Sequence, residues 1–269
     1  HVLPVPYEKS VSYGGGTALG PNAILQASWQ LEEWDGKSKP CDEGIYTCEP
    51  VDCSVTPQQV IDNIAKATTD IIKAGAIPVV LGGEHTVTYG VIKGLRDAGI
   101  DDFGILPIDA HADLRQAYEG DFLSHASVMK RAVDMGIPLY QLGIRAYCEE
   151  EMAFRDEFGV LYQDADELVP NRIQSIELPE DFPQKVFFTL DIDGMDPSVF
   201  PSTGTPVPGA LGPARGKEVE GALWGGRRGG GGGTGGSGHQ LDPGGTQPGH
   251  HRLRDGTDYL LREEGKPPL

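Results

Sequence analysis

The chain has 269 residues, of which 38% are hydrophobic, enough to bury the core of one large α/β domain. Its formal net charge of −18, with no basic cluster in the first 210 residues, excludes nucleic acid as a ligand. The longest apolar runs, such as Ile77–Leu81, are far shorter than the roughly 20 residues of a membrane helix, so we expect no contact with a membrane.

The cysteines Cys41, Cys48, Cys53 and Cys148 contain no C-x-x-C pair, and no histidine accompanies the first three. This favours ordinary thiols in a reducing cytosol, with a zinc knuckle in the Cys41–Cys53 loop as the alternative. No charged-then-apolar leader is legible, so we expect a cytoplasmic protein. Because the chain opens in mid-strand, we also expect its true start to precede His1.

From Val2 to Asp193, β-branched runs alternate with helical periodicity, which predicts an α/β fold with helices on both faces of a mainly parallel sheet. The clearest helix begins after Thr56, with Pro57 at its first position and Gln59 completing a capping box. Gly75 ends the helix. Its predicted buried stripe consists of Val60, Ile61, Ile64, Ile71 and Ile72.

Four further strands are predicted, at Ile77–Leu81, Phe103–Ile108, Leu139–Gly143 and Val186–Ile192. In such sheets, ligands bind beyond the carboxyl ends of the strands. Pro107 is anomalous, because proline removes a hydrogen bond from a central strand.

The composition changes after Leu211. Residues 225–238 contain ten glycines, and residues 211–269 carry a net charge of +1, against −19 for residues 1–210. Such a glycine-rich stretch has too little apolar surface to bury to offset the conformational entropy that it would lose on folding. We therefore divide the chain into an α/β domain, 1–210, and an atypical tail, 211–269, which is either a flexible end or the product of a shifted reading frame near Leu211.

Three segments place acidic and imidazole groups at the ends of predicted strands: Gly82-Gly83-Glu84-His85, Asp109-Ala110-His111-Ala112-Asp113 and Asp191-Ile192-Asp193. Alternate residues of an extended or turn segment project to one side, so their side chains can converge. Gathered carboxylates repel each other unless cations lie between them. The six predicted metal ligands are His85, Asp109, His111, Asp113, Asp191 and Asp193. Taken alone, His85 would be a structural histidine and Asp191 a helix cap.

These segments resemble the ureohydrolase family of arginases and agmatinases, and the resemblance spans residues 2–210. The motifs that carry it are Gly83-Glu84-His85-Thr86, Asp109-Ala110-His111-Ala112-Asp113-Leu114-Arg115, Ser124-His125-Ala126-Ser127, Asp191-Ile192-Asp193-Gly194-Met195-Asp196-Pro197 and the turn Thr203–Gly209. Three ordered metal motifs with the intervening His125 make chance similarity implausible. The sequence around Tyr118-Glu119-Gly120 is more similar to agmatinases than to arginases.

The resemblance implies an arginase-like three-layer α/β/α fold, two Mn²⁺ ions per subunit and a cytoplasmic homo-oligomer, a trimer or hexamer. It implies Asp109 and Asp191 as bridges, His85 and Asp113 on one ion, and His111 and Asp193 on the other. A hydroxide bridging the ions would hydrolyse a small guanidino substrate, most simply agmatine to putrescine and urea. Asp113 and His125 would be catalytic, with His125 as general acid or proton shuttle, although His125 alone could be a surface residue.

Three alternatives stay open. The substrate could be guanidinobutyrate, arginine or formiminoglutamate, because specificity depends on loops that one sequence does not define. The family continues past Gly209 with a helix, a core strand ending in a substrate-binding glutamate, and a final helix, none of which is legible here. The chain could therefore be a catalytically inactive metal-binding homologue that lacks a core strand. A zinc deacetylase on a related fold would bind one metal and would not need the Asp109–His111–Asp113 triplet.

Overall fold

The computed structural model describes residues 1–36, 38–170, 176 and 178–210, together with the backbone of 257–260. Its centre is a seven-stranded sheet with the order β1-β2-β7-β6-β3-β4-β5. All neighbouring pairs are parallel except those made by β7. The strands are β1 Val2–Val5, β2 Val79–Gly82, β3 Gly104–Ile108, β4 Tyr140–Leu142, β5 Leu161–Gln163, β6 Val186–Leu190 and β7 Thr257–Leu260.

Helices cover both faces of this sheet. Successive residues of its central strands point to opposite faces, so both faces carry apolar side chains that a helix layer must cover. The helices are α1 Gly20–Ser28, α2 Pro57–Lys73, α3 Val87–Asp97, α4 Val128–Asp134, α5 Glu149–Phe158 and α6 Ala165–Leu168. In β3, Ile105 joins the larger core with side chains of α2, α3, α4 and α5, whereas Leu106 joins a second core with α6. This alternation confirms the predicted three-layer α/β/α fold.

The helix predicted after Thr56 is α2, and its capping box is confirmed. The Gln59 amide donates to Thr56 Oγ1, and the Thr56 amide donates to Gln59 Oε1. Gly75 follows the helix with φ +77°. Within the described chain, no helix is both long and apolar enough to cross a membrane.

The four predicted strands begin and end within two residues of their predicted bounds. β2 begins two residues later than expected, at Val79, and β6 ends two residues earlier than expected. This strand was expected to reach Ile192 but stops at Leu190, and a 3-10 turn follows at Ile192–Gly194. Pro107 does lie in central β3, opposite Thr189 of β6. Ile105 and Asp109 donate to Pro138 and Leu142 on the β4 side. Pro107 lacks this donor, so the β3–β4 ladder is interrupted there.

The structure places a strand where the sequence predicted none. The backbone of β7 lies between β2 and β6 and runs antiparallel to both. The expectation that the chain lacks a core strand beside the candidate site is therefore wrong for the described backbone. Thr257 pairs with Leu81 and Leu190, so the amino end of β7 lies at the edge where β2 and β6 end. The rest of the tail, residues 211–256 and 261–269, lies outside the described residues.

Candidate metal centre

The carboxyl ends of β2, β3 and β6 bring the three acidic segments together, as the sequence predicted. At the end of β2, His85 Nδ1 lies 2.9 Å from Asp113 Oδ2, 3.1 Å from Asp109 Oδ2 and 3.6 Å from Asp191 Oδ2. His111 Nδ1, after β3, lies 3.0 Å from Asp193 Oδ2 and 3.7 Å from Asp109 Oδ1. All six predicted ligands thus lie in one cluster.

Two overlapping groups of potential metal ligands occur in the described residues. One contains His85, Asp109 and Asp191, the other contains Asp109, His111 and Asp193, and the ligand atoms of each group lie within 4.8 Å of one another. Asp109 is common to both groups, as expected of a carboxylate between two ions. Asp113 contacts His85 but does not belong to either compact group.

The local conformations differ from the simple alternation that the sequence predicted. Asp113 is left-handed, with φ +52°, an uncommon conformation for a residue with a side chain. Asp191 precedes the 3-10 turn, and its Oδ1 accepts the amide of Asp193 at 2.9 Å. Asp191 is therefore both a capping residue and a member of the cluster, so the two interpretations of this residue do not exclude each other.

The buried charges of the cluster shift its protonation strongly. Burial lowers the pKa of His111, but Asp109 and Asp193 outweigh burial and raise it to about 12. His85 is shifted in the same way, because Asp109 and Asp113 outweigh its burial and raise its pKa well above the usual value. Burial and the charge of Asp109 raise the pKa of Asp113 to about 7. Without a metal ion, protons on the imidazoles therefore balance the carboxylates.

The residues fit divalent cations in place of these protons. Asp109 Oδ2 is buried and makes no hydrogen bond, although His85 Nδ1 lies 3.1 Å away. A buried carboxylate oxygen without a hydrogen bond is costly unless a cation binds it. The donors are carboxylate oxygens and imidazole nitrogens, and neither group contains a cysteine. The four cysteines are free thiols.

His125 lies beside the cluster, in the 3-10 turn His125–Ser127 that precedes α4. Its ring nitrogens face two serines, with Nδ1 3.1 Å from Ser10 Oγ and Nε2 3.0 Å from Ser12 Oγ. Burial lowers the pKa of His125, so the ring is neutral at pH 7. Tyr118 packs edge-on against the ring at 5.4 Å between centroids.

The hydrogen bonds of Ser10 define the tautomer of His125. Ser10 Oγ donates its one hydrogen to Glu84 Oε1 at 2.6 Å and accepts the His125 amide at 3.0 Å. Its second lone pair then faces Nδ1, so Nδ1 carries the ring proton and Nε2 is the basic nitrogen. Buried Glu84 also accepts the amides of Lys9 and Ser10. No sequence motif marks Ser10 or Ser12, and the only signal for Glu84 is its place beside the predicted ligand His85.

Arg145 is a third residue that no sequence motif marks. Its guanidinium donates to five backbone carbonyls, those of Gly143, Asp193, Gly194, Met195 and Val207. These bonds join the end of β4 to the turn that carries Asp193 and to the predicted turn Thr203–Gly209. A positive charge without a local motif carries no signal in the sequence, because its partners are backbone atoms.

Comparison with known proteins identifies the family. The sequence model described as "Arginase family" matches residues 1–227. The chain belongs to the arginase family. The match extends past residue 210, and the predicted domain boundary there stays a prediction. An N(1)-aminopropylagmatine ureohydrolase from Synechocystis sp. is 38% identical over 221 residues, which cover 78% of this chain and 72% of that protein.

Further arginase-family members are similar in sequence or structure. An agmatinase from Pyrococcus horikoshii is 32% identical over 218 residues, covering 78% of this chain and 74% of that protein. The crystal structure of the agmatine ureohydrolase of Thermoplasma volcanium has a TM-score of 0.71 and 26% identity, covering 82% of this chain and 77% of that one. The chain is accordingly a hydrolase of the arginase family, similar to ureohydrolases of the agmatinase type. The two groups of potential ligands agree with the binuclear metal chemistry of this family.

Proposed function

We propose that the chain hydrolyses the guanidinium group of an agmatine-type amine, with two Mn²⁺ ions, to urea and the free amine. The observation that carries this proposal is the pair of overlapping ligand groups that share Asp109 at the carboxyl edge of the sheet. Mixed carboxylate and imidazole donors without thiolate suit Mn²⁺ better than a structural zinc.

The assignment of ligands is the one that the family resemblance implies, and the contacts support it for Asp109, which both groups share, while among the described residues Asp191 belongs only to the His85 group. His85 and Asp113 would hold one ion, His111 and Asp193 the other, and Asp109 and Asp191 would bridge them. When bound, two such ions lower the pKa of water, which supplies a nucleophile at neutral pH. The carboxylates and imidazoles of this chain would hold these ions at the carboxyl edge of the sheet.

The reaction adds water to the guanidinium carbon and breaks its bond to the alkyl nitrogen, which must leave as an amine. The guanidinium carbon is a weak electrophile, so its bond to nitrogen breaks slowly without help. The leaving nitrogen must also receive a proton, which requires a proton carrier placed close to it. His125 is suited to this role, because its neutral ring presents Nε2 as an acceptor beside Ser12. Asp113 would pass a proton from water toward the leaving nitrogen.

The substrate class is proposed from the named relatives and from charge. Relatives at 37–38% identity are described as N(1)-aminopropylagmatine ureohydrolases, and others at 32–33% as agmatinases. Both names describe guanidines on a cationic amine chain, which a protein of net charge −18 attracts. We therefore place agmatine and its aminopropyl derivative ahead of arginine, guanidinobutyrate and formiminoglutamate.

The test is hydrolysis of this panel of five compounds by the purified chain loaded with Mn²⁺, measured as urea from the four guanidino compounds and as formamide from formiminoglutamate. We expect agmatine or N(1)-aminopropylagmatine to have the highest kcat/KM. A preference for arginine, guanidinobutyrate or formiminoglutamate would refute the substrate class, while urea release from any guanidino compound would retain the reaction type. Cytoplasmic localisation and assembly into a trimer or hexamer are also proposed, and sedimentation analysis tests the assembly.

One observation favours a second candidate, a metal-binding homologue without turnover. Because β7 is antiparallel, its carboxyl end lies at the edge of the sheet opposite the ligand cluster. The described backbone of β7 therefore begins at the ligand edge and does not end there, as a parallel strand would. Sequencing of the coding DNA across codons 205–269 tests the predicted frameshift. Two bound metals with no urea from the confirmed sequence would favour this candidate, and urea from a frame-corrected chain would favour the enzyme.

A further inference from the structure

Asp113 has an unusual backbone for a predicted ligand. Its φ of +52° is left-handed, a conformation that is unfavourable for a non-glycine residue and persists only where its surroundings enforce it. Glycine would relieve this cost but would lose the carboxylate whose Oδ2 lies 2.9 Å from His85 Nδ1. Contacts with the surrounding fold must therefore hold the backbone of Asp113 in this conformation.

Both peptide groups that flank Asp113 are held by buried hydrogen bonds. On the amino side, Gln141 Nε2 donates to the Ala112 carbonyl at 2.7 Å. On the carboxyl side, the Leu114 amide donates to Glu151 Oε1 at 3.0 Å. The carbonyl of the same carboxyl-side peptide, that of Asp113, accepts the amides of Met129 and Lys130 at the start of α4. Because both peptide planes are bound, the torsion angles between them are defined.

The two side chains that hold these peptides are themselves fixed. Arg155 Nε donates to Gln141 Oε1 at 3.0 Å, so the amide of Gln141 must present its nitrogen to Ala112. Arg155 is in turn bound by both carboxylate oxygens of Asp164, at 2.9 and 3.1 Å. Glu151 Oε2 accepts the Cys148 amide at 2.8 Å. Gln141, Glu151 and Arg155 are all at most 3% exposed.

We propose that Gln141 and Glu151 are positioning residues that hold Asp113 in its left-handed conformation and so place its carboxylate for the ion on the His85 side. The expected effect on metal affinity rests on the proposed two-metal function. The expected effect on the backbone conformation of Asp113 concerns the metal-free chain and does not depend on that function. Partners of ligand groups typically change metal affinity by 10- to 100-fold when they are replaced.

The test uses Gln141→Glu, which keeps the size of the side chain and the acceptor for Arg155 but puts an oxygen against the Ala112 carbonyl. Gln58→Glu is the matched control, because Gln58 is an exposed residue of α2 that contacts Asp62. Calorimetric titration of the metal-free proteins with Mn²⁺ should show one of the two ions bound roughly 10- to 100-fold more weakly in Q141E, and no change in Q58E. D113N should weaken the same step, and the double variant should add little to it.

Two readouts keep the inference distinct from the proposed function. Backbone ¹³C chemical shifts of Asp113 in the metal-free protein should report the left-handed conformation in the wild type and Q58E, and its loss in Q141E. If Q141E does not fold, Glu151→Gln, which removes one of the two carboxylate acceptors, gives the same comparison. Unchanged shifts together with unchanged affinities, or equal weakening of both ions, would overturn the inference. A wild type that binds no divalent ion would refute the proposed function, while the chemical shifts would still decide on the positioning role.

Discussion

Replacing Asp109 by asparagine tests whether one carboxylate serves two ions. Asp109 is 1% exposed, with Oδ2 3.1 Å from His85 Nδ1 and Oδ1 3.7 Å from His111 Nδ1. Asparagine keeps the shape but removes the charge that the two ligand groups share. Loss of one partner from a buried charged pair costs about 3–5 kcal/mol. Since 1.4 kcal/mol is a factor of ten, we expect both ions to bind roughly 10²- to 4 × 10³-fold more weakly.

Asp193→Asn is the matched comparison, because Asp193 is equally buried but belongs, among the described residues, to the His111 group alone. It should weaken one ion and leave the other within a few-fold of the wild type. Calorimetric titration of the metal-free proteins with Mn²⁺, with metal analysis after dialysis, separates the two binding steps. If Asp109→Asn weakens only one step, as Asp193→Asn does, the assignment of Asp109 as a shared ligand is wrong.

Three further predictions follow from the contacts. Ser10→Ala removes the hydroxyl between Glu84 and His125, so we expect kcat to fall by up to about tenfold with both metals retained; an unchanged kcat would contradict the tautomer assignment. The pKa of His111 is about 12 in the metal-free site because Asp109 and Asp193 outweigh its burial, so its proton is held through neutral pH and metal binding must release it. Metal affinity should therefore rise with pH, and calorimetric enthalpies at pH 7 should vary with the ionisation enthalpy of the buffer; no such variation would refute this. Gly90→Ala should lower the free energy of unfolding by about 1–3 kcal/mol in urea titrations, since the added methyl would lie 2.6 Å from Ile64 Cβ of the packed helix α2; a stability equal to that of the wild type would contradict this packing.

The sequence predicted the parts of the fold and site that depend on local pattern. The capping box at Thr56 and the apolar stripe after it define α2 without help from distant residues. The convergence of six ligands followed from their places after parallel strands, because these strands end at one edge of the sheet.

The parts that the sequence did not predict depend on contacts between distant residues. The left-handed conformation of Asp113 is held by Gln141 and Glu151, which are 28 and 38 positions away in the chain. The hydroxyl of Ser10 reaches His125 across more than a hundred residues. The direction of β7 was equally hidden, because its antiparallel pairs with β2 and β6 leave no local signal in a glycine-rich tail.

A direct test of two-metal hydrolysis is to add Mn²⁺ stepwise to the metal-free chain while urea release from agmatine and N(1)-aminopropylagmatine is measured. We expect two ions to bind per chain and urea release to rise steeply with the second. Full activity with one ion or none, or two bound ions without urea from either compound, would contradict this expectation.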